Sequence, residues 1–383
     1  MEIVLVPALA LTLATLFLAG LVWLFVLMLK GRPKSFWPRT LWIHLFLLVV
    51  HTTLTIPLAW GFVMPRFMVQ TRRDEAGYRG PRIGADGTWQ IQSRESLKVE
   101  AQDEALAKQN GTTPKAQELN DAAAKLAVHF TASDEVPLRG FLVPSRRTAP
   151  RFVAVLTHGL FRGACELETV GSMLRDAGGE VLLLEMRNHG GSGRAQFGKG
   201  EAKDVVAAVS FLRARPEARD RPLILFGVSL GTFATMVAAP RIDQIAGVIL
   251  DAPIDDLRAV GDRMLGGLAT RRGFGPDIPA PMRALILFSA EHLGGLDFKG
   301  NDSGAALCQL SPKIPILLIG AGKDDRVPPE AVQALYARLR TEPAKKQIWL
   351  VDAASHGKVW EAEPAEYRKR LASFLDLSVG PEQ

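Results

Sequence analysis

An α/β domain built on a mainly parallel sheet is what this 383-residue sequence predicts, on three observations. From about Leu126 onward, short apolar runs suited to buried strands alternate with segments of helical spacing. One strand–helix junction carries Gly227-Val228-Ser229-Leu230-Gly231, a serine with glycine two positions away on either side. Ahead of the domain lie two uncharged apolar stretches, 3–29 and 41–64, each long enough to cross a bilayer.

A cleavable leader fits 3–29 poorly: it has no basic start, its apolar core is too long, and a second apolar run follows soon after. Residues 1–65 therefore read as a two-helix membrane hairpin. The connection between the runs carries Lys30, Arg32, Lys34 and Arg39, which the positive-inside rule places in the cytoplasm, with the C-terminal domain across the membrane. Arg66, Arg72, Arg73, Arg79 and Arg82 pull the other way, and the first set leads narrowly because little but Glu2 precedes the first run. The net charge of +6 owes much to these flanking cations, which suit anionic headgroups. No basic helix or aromatic-interleaved stretch points to nucleic acid. His44 and His51, seven apart, share a face of the second run. Two such histidines could ligate a metal or haem, but a short hairpin encloses little, so helix-packing hydrogen bonds are the preferred reading. Cys165 and Cys308 could pair outside the cytoplasm or remain thiols, and their spacing does not decide.

Residues 66–124 are polar, with a Gly-rich piece at 77–87 and a charged stretch at 95–108, and read as a linker with a peripheral helix. The domain then occupies 125–383. Segments 127–131 and 137–143 look like an opening antiparallel pair, 152–157 a buried strand, 165–177 a helix and 180–185 the next strand. The helix 200–213 is amphipathic, with Val205, Val206, Val209 and Leu212 on one face. Strand 222–226 and helix 232–239 bracket the serine. Strands are expected at 245–250, 314–319 and 347–351, and helices at 328–339 and 364–377. Between the strands, 255–313 has helical runs at 257–269 and 280–293 and reads as a small lid over the strand ends, where open α/β sheets bind ligands.

A serine on so tight a strand-to-helix turn needs small neighbours, because a Cβ two positions away would meet the backbone. Acyl transfer from it requires a base, a group that orients the base, and donors for the oxyanion. His356, in the loop after the last strand, is the candidate base, the alternative being a solvated loop histidine. Asp324, three before Val327-Pro328, is the preferred orienting acid. Asp325 is its direct rival and Asp251 a weaker one, and one of the two neighbours is expected to cap the helix beginning near Pro328. The amide of Leu230, at a helix N-terminus, and the amide of Leu160, in His158-Gly159-Leu160-Phe161, are the expected oxyanion donors. The side chain of His158 reads as structural. His189 precedes the serine and reads as loop support.

On His158-Gly159, Arg187-Asn188-His189-Gly190-Gly191-Ser192-Gly193, the turn at Ser229, Asp324 with Val327-Pro328, and His356, residues 126–377 resemble the α/β-hydrolase superfamily. The order Ser, Asp, His is also that family's. The resemblance implies an eight-stranded, mostly parallel sheet, a Ser-His-Asp triad, and neither cofactor nor metal. Within the superfamily the chain looks most similar to small-lid serine hydrolases: membrane-anchored acyl-protein thioesterases and monoacylglycerol-lipase-like carboxylesterases. The loop after His158-Gly159 is not of the Gly-Gly type, which argues against a large lipase–esterase oxyanion loop. The hairpin is not a general family feature, and the linker matches nothing in it. The expectation is a membrane-anchored serine hydrolase cleaving esters or thioesters of lipid or acylated substrates through an acyl-enzyme. A proline-aminopeptidase type of peptidase and a catalytically silent membrane scaffold are the alternatives, with a haem or metal protein behind them.

Overall fold

The computed structural model describes residues 42, 45, 46, 49–61, 78–84, 86–111, 123–160, 162–187, 199–268, 277–293, 296, 298 and 302–381. The first expected span, 3–29, lies outside the described residues, as do His44 and His189, and the second span is described only in part. Among the described residues no helix is long and apolar enough to cross a membrane. The chain divides into two compact units, Met1–Thr71 with Gly261–Asp297, and Arg72–Val260 with Phe298–Gln383.

The chain order of elements begins with β1 (Arg82–Ile83), β2 (Trp89–Gln90) and α1 (Arg94–Gln109). There follow β3 (Ala127–Thr131), β4 (Pro137–Val143), β5 (Phe152–Thr157), α2 (Glu168–Asp176), β6 (Gly179–Glu185) and α3 (Lys199–Ala214). Then come β7 (Leu223–Val228), α4 (Leu230–Ala238), β8 (Ile245–Asp251), α5 (Leu257–Gly266), α6 (Ala280–His292) and α7 (Ser303–Leu307). The chain closes with β9 (Ile316–Ala321), α8 (Pro329–Arg338), β10 (Lys346–Val351), α9 (Val359–Ala362) and α10 (Pro364–Val379).

The larger unit carries an eight-stranded sheet in the order β10-β9-β8-β7-β5-β6-β4-β3. Only the β3–β4 and β4–β6 pairings are antiparallel; the rest are parallel. The cause is visible in the strands. Every residue of β5 (FVAVLT), β7 (LILFGV) and β9 (ILLIGA) is buried, as expected of parallel strands covered by helices on both faces. In β3 no residue is fully buried, and it takes the sheet's edge.

Two boundaries shift in ways that matter for chemistry. β7 runs on to Val228 and α4 begins at Leu230, so a single residue, Ser229, makes the whole turn. β9 starts at Ile316, two residues later than expected, because Pro315 has no N–H for the ladder and offers only its carbonyl, to Val248. The later start carries the strand to Ala321, so Asp324 follows its end almost at once.

Residues 78–109, read from sequence as linker, hold both a helix and a core contribution. Ser93 and Ser96 cap α1 reciprocally, and Leu97 is fully buried. Tyr78 and Trp89 enter the main core of the larger unit. Glu168, fully buried on α2, clamps the segment: it accepts the Gln92 backbone N–H at 2.6 Å and the Tyr78 hydroxyl at 3.2 Å. Cys165 and Cys308 are both free thiols.

Candidate active site

The serine turn is strained, and its surroundings hold it so. Ser229 sits at φ 54°, ψ −121°, a backbone conformation that residues with a Cβ rarely adopt. A Cβ at Gly231 would stand 2.1 Å from the Thr157 carbonyl oxygen, and one at Gly227 would stand 2.6 Å from that of Gly231. Only glycine permits this approach of α4 to β5 and of the strand to the helix. The Ser229 N–H donates to the Asp251 carbonyl at 2.9 Å, and its own carbonyl accepts the Thr232 hydroxyl at 2.6 Å.

The structure brings three of the expected residues into one hydrogen-bonded line. Nε2 of His356 lies 2.7 Å from Oγ of Ser229, and Nδ1 lies 2.7 Å from Oδ2 of Asp324. Asp324, whose side chain is fully buried, also accepts the N–H groups of Arg326 and Val327 on Oδ1, each at 2.9 Å. Its carboxylate accepts from Nδ1–H, which leaves Nε2 as the acceptor facing the serine hydroxyl. Sequential loops hold the pair together: Gly322 N–H bonds to the Val351 carbonyl at 2.8 Å and Lys323 N–H to that of Ala354 at 2.9 Å.

The rival acids lie elsewhere. Asp325 is exposed, 4.0 Å from the Arg326 guanidinium. Neither neighbour caps α8, which opens after Pro328 without a side-chain cap; the carboxylate expected to cap it holds the preceding turn instead. Asp251 is buried at the end of β8, where the Tyr367 hydroxyl donates to Oδ2 at 3.0 Å. Burial pushes its carboxyl up to about 7, and it supports the serine turn through its backbone carbonyl.

The expected oxyanion donors belong to the two segments that flank the serine. Leu230 opens α4, and Leu160 follows Gly159, where a Cβ would stand 3.3 Å from Cβ of Ser229. His158 is fully buried. Its Nε2 lies 3.1 Å from the Met186 N–H and accepts it, so Nδ1 carries the proton and donates to the Gly159 carbonyl at 2.7 Å. Glu166 takes the Gly159 N–H at 2.7 Å. Sequence reasoning missed Glu166 and the Asp251–Tyr367 pair, and no local pattern marks them.

Arg187, at the start of the Gly-rich loop, is fully buried between two carboxylates. It meets Asp204 at 2.7 Å and Asp134 at 2.9 Å, and its hydrogen bonds to Asp134, joined by that of Lys203, hold the Asp134 carboxyl well below the usual range. Among the described residues no cluster of His, Cys, Asp or Glu is suited to a metal ion.

The sequence profile of the alpha/beta hydrolase family matches residues 154–370, more than half of the chain. The uncharacterized protein YfhR of Escherichia coli is 25% identical over 263 residues, 67% of this chain and 82% of that protein. Among solved structures, an esterase of Pyrococcus furiosus superposes with a TM-score of 0.55 at 23% identity, covering 66% of this chain and 91% of that one. The alpha/beta hydrolase GrgF of Penicillium superposes with a TM-score of 0.52 at 20% identity, covering 66% and 98%.

Proposed function

The chain belongs to the alpha/beta hydrolase family, and from that premise we propose a membrane-anchored serine hydrolase that cleaves carboxylic ester or thioester bonds through an acyl-enzyme. One observation carries the reading: Ser229, His356 and Asp324 stand in a continuous line of two 2.7 Å hydrogen bonds, with the serine held strained at the tip of the turn.

In this reading Oγ of Ser229 attacks the substrate carbonyl while its proton passes to Nε2 of His356. The resulting oxyanion is met by the amides of Leu230 and Leu160. Collapse expels the alcohol or thiol, which takes the proton from His356. Water, deprotonated by the same nitrogen, then releases the acid and restores the serine. Asp324 keeps the imidazole in the required tautomer, and its own two backbone donors hold the carboxylate in place.

Anchoring and the acyl nature of the substrate rest on the two uncharged runs and on the charge around them. Up to Arg73 the chain has seven Lys or Arg residues against one acid, Glu2. A domain tethered beside lipid meets acylated substrates first. A silent scaffold would have no use for a strained serine aligned with a buried acid and a histidine.

Labelling the full chain with a fluorophosphonate probe tests the proposal. Wild type should label and Ser229→Ala should not. A folded wild-type protein that stays unlabelled rejects the enzyme, and labelling that survives Ser229→Ala rejects the nucleophile.

A further inference from the structure

We propose that α6 lies in the lipid headgroup layer beside the second apolar run, with the stripe Pro281, Ala284 and Phe288 turned to the acyl chains. The inference rests on the membrane-anchored reading and adds to it a second lipid-contacting element, drawn from a distant part of the chain.

The smaller unit shows how α6 is held. Oγ of Ser289, fully buried, donates at 2.6 Å to the carbonyl of Leu58, which lies within the helical stretch 49–61. A Cβ at Gly61 would stand 2.2 Å from the Ile286 carbonyl oxygen and 2.5 Å from Cβ of Ser289. Two helices thus cross at a separation open only to small residues, with a hydroxyl bonded across the crossing. Helices associate in this way where no water drives apolar faces together.

Among the described residues of the same unit, large apolar side chains stand exposed. Seven of the eleven large hydrophobic side chains that stand exposed among the described residues belong to it, although it holds the smaller share of those residues. On α6 the exposed positions Pro281, Ala284, Phe288 and His292 recur at helical spacing, and Phe288 is 48% exposed. The imidazole of His292 stacks on the Phe288 ring at 4.1 Å, ending the stripe in a group suited to the headgroup boundary. Within the run 41–64, Trp42 and Phe46 are 69% and 66% exposed. Patches of this kind are unfavourable in water and mark a covered surface.

Lipid is the occupant that the chain's own features select. The partner helix belongs to the run 41–64, which contains no Asp, Glu, Lys or Arg, and cations dominate its flanks. Arg271 and Arg272 precede α6, and Arg283 on it pairs with Asp262 at 2.9 Å. A run without charged residues, flanked in sequence by cations, suits an anionic leaflet, whereas a second copy would bring like charges together.

The test uses the full chain with Cys165→Ser and Cys308→Ser, reconstituted in vesicles of phosphatidylcholine and phosphatidylglycerol. Single cysteines introduced by Phe288→Cys, Ala284→Cys, Leu54→Cys or Leu106→Cys carry an environment-sensitive fluorophore. Spin-labelled acyl chains should quench positions 284 and 288 as strongly as 54, and at least about twofold more than 106, which lies exposed on α1. Quenching at 54 with none at 284 and 288 overturns this inference and leaves the anchor standing. Absence of quenching at all positions removes the anchor as well. A blue-shifted, unquenched label at 288 identifies a protein surface as the occupant and also overturns the proposal.

Discussion

Replacing Asp324 by asparagine should cost far more activity than the same change one residue on, and the geometry sets the size of the difference. Oδ1 of Asp324 is engaged by the N–H groups of Arg326 and Val327, each at 2.9 Å, so an asparagine keeps its carbonyl oxygen there. Its NH₂ then faces Nδ1 of His356, in the place of an oxygen 2.7 Å away. A donor at that point forces the proton onto Nε2, and the imidazole then donates to Ser229 where it should accept. The loss in kcat should be about 10⁴-fold, or roughly 5 kcal/mol of transition-state stabilisation. Asp325→Asn touches an exposed side chain and should stay within about twofold. Turnover of a chromogenic short-chain ester by the two purified variants, with circular dichroism to confirm folding, measures both. Equal small losses, or a larger loss for Asp325→Asn, would refute the assignment of the acid.

Three further outcomes follow from packing and charge. Gly231→Ala places a methyl group 2.1 Å from the Thr157 carbonyl oxygen, so thermal melts should show destabilisation above about 3 kcal/mol or no folded protein; a near-native melting temperature would contradict the packing. Asp204→Ala strips a fully buried partner from Arg187 and should cost about 3–5 kcal/mol in urea unfolding, with a loss under about 1 kcal/mol counting against the network. Burial pushes the Glu168 carboxyl up to about 7 from an ordinary value near 4.5, so the folded state holds its proton more tightly than the unfolded one. Its contribution to stability is therefore complete below about 4.5 and lost as pH rises through about 7. Melting curves of wild type and Glu168→Gln between those limits should converge or cross in the variant's favour as pH rises, and a pH-independent difference would refute the burial argument.

The legible parts of this chain were those governed by near neighbours. Strands β5, β7 and β9 are continuous apolar runs because both faces are buried, and such runs announce themselves. The turn at Ser229 was readable because its glycines are needed within two residues of the serine. Trp89 and Tyr78 lie in a stretch too polar to read as core, yet they pack into it because Glu168, 76 residues from Gln92, supplies the hydrogen bonds that the segment's polar groups require. The start of β9, expected at Ile314 and found at Ile316, was misjudged for a comparable reason. Ile314 and Pro315 extend the apolar run, and only the ladder with its neighbours leaves proline's missing N–H outside the strand.

By itself, the sequence determined the α/β class, the serine at the strand–helix turn and the order in which serine, acid and histidine follow one another. Tertiary structure decided which of two adjacent aspartates meets His356, since side chains of consecutive residues diverge and only the loop's closure around Oδ1 turns Asp324 inward. It also decided that α6 packs on residues more than 200 positions earlier, through Ser289 and Leu58. Local pattern reflects the free energy of a residue among its chain neighbours. Partner choice depends on groups that become neighbours only when the chain has folded.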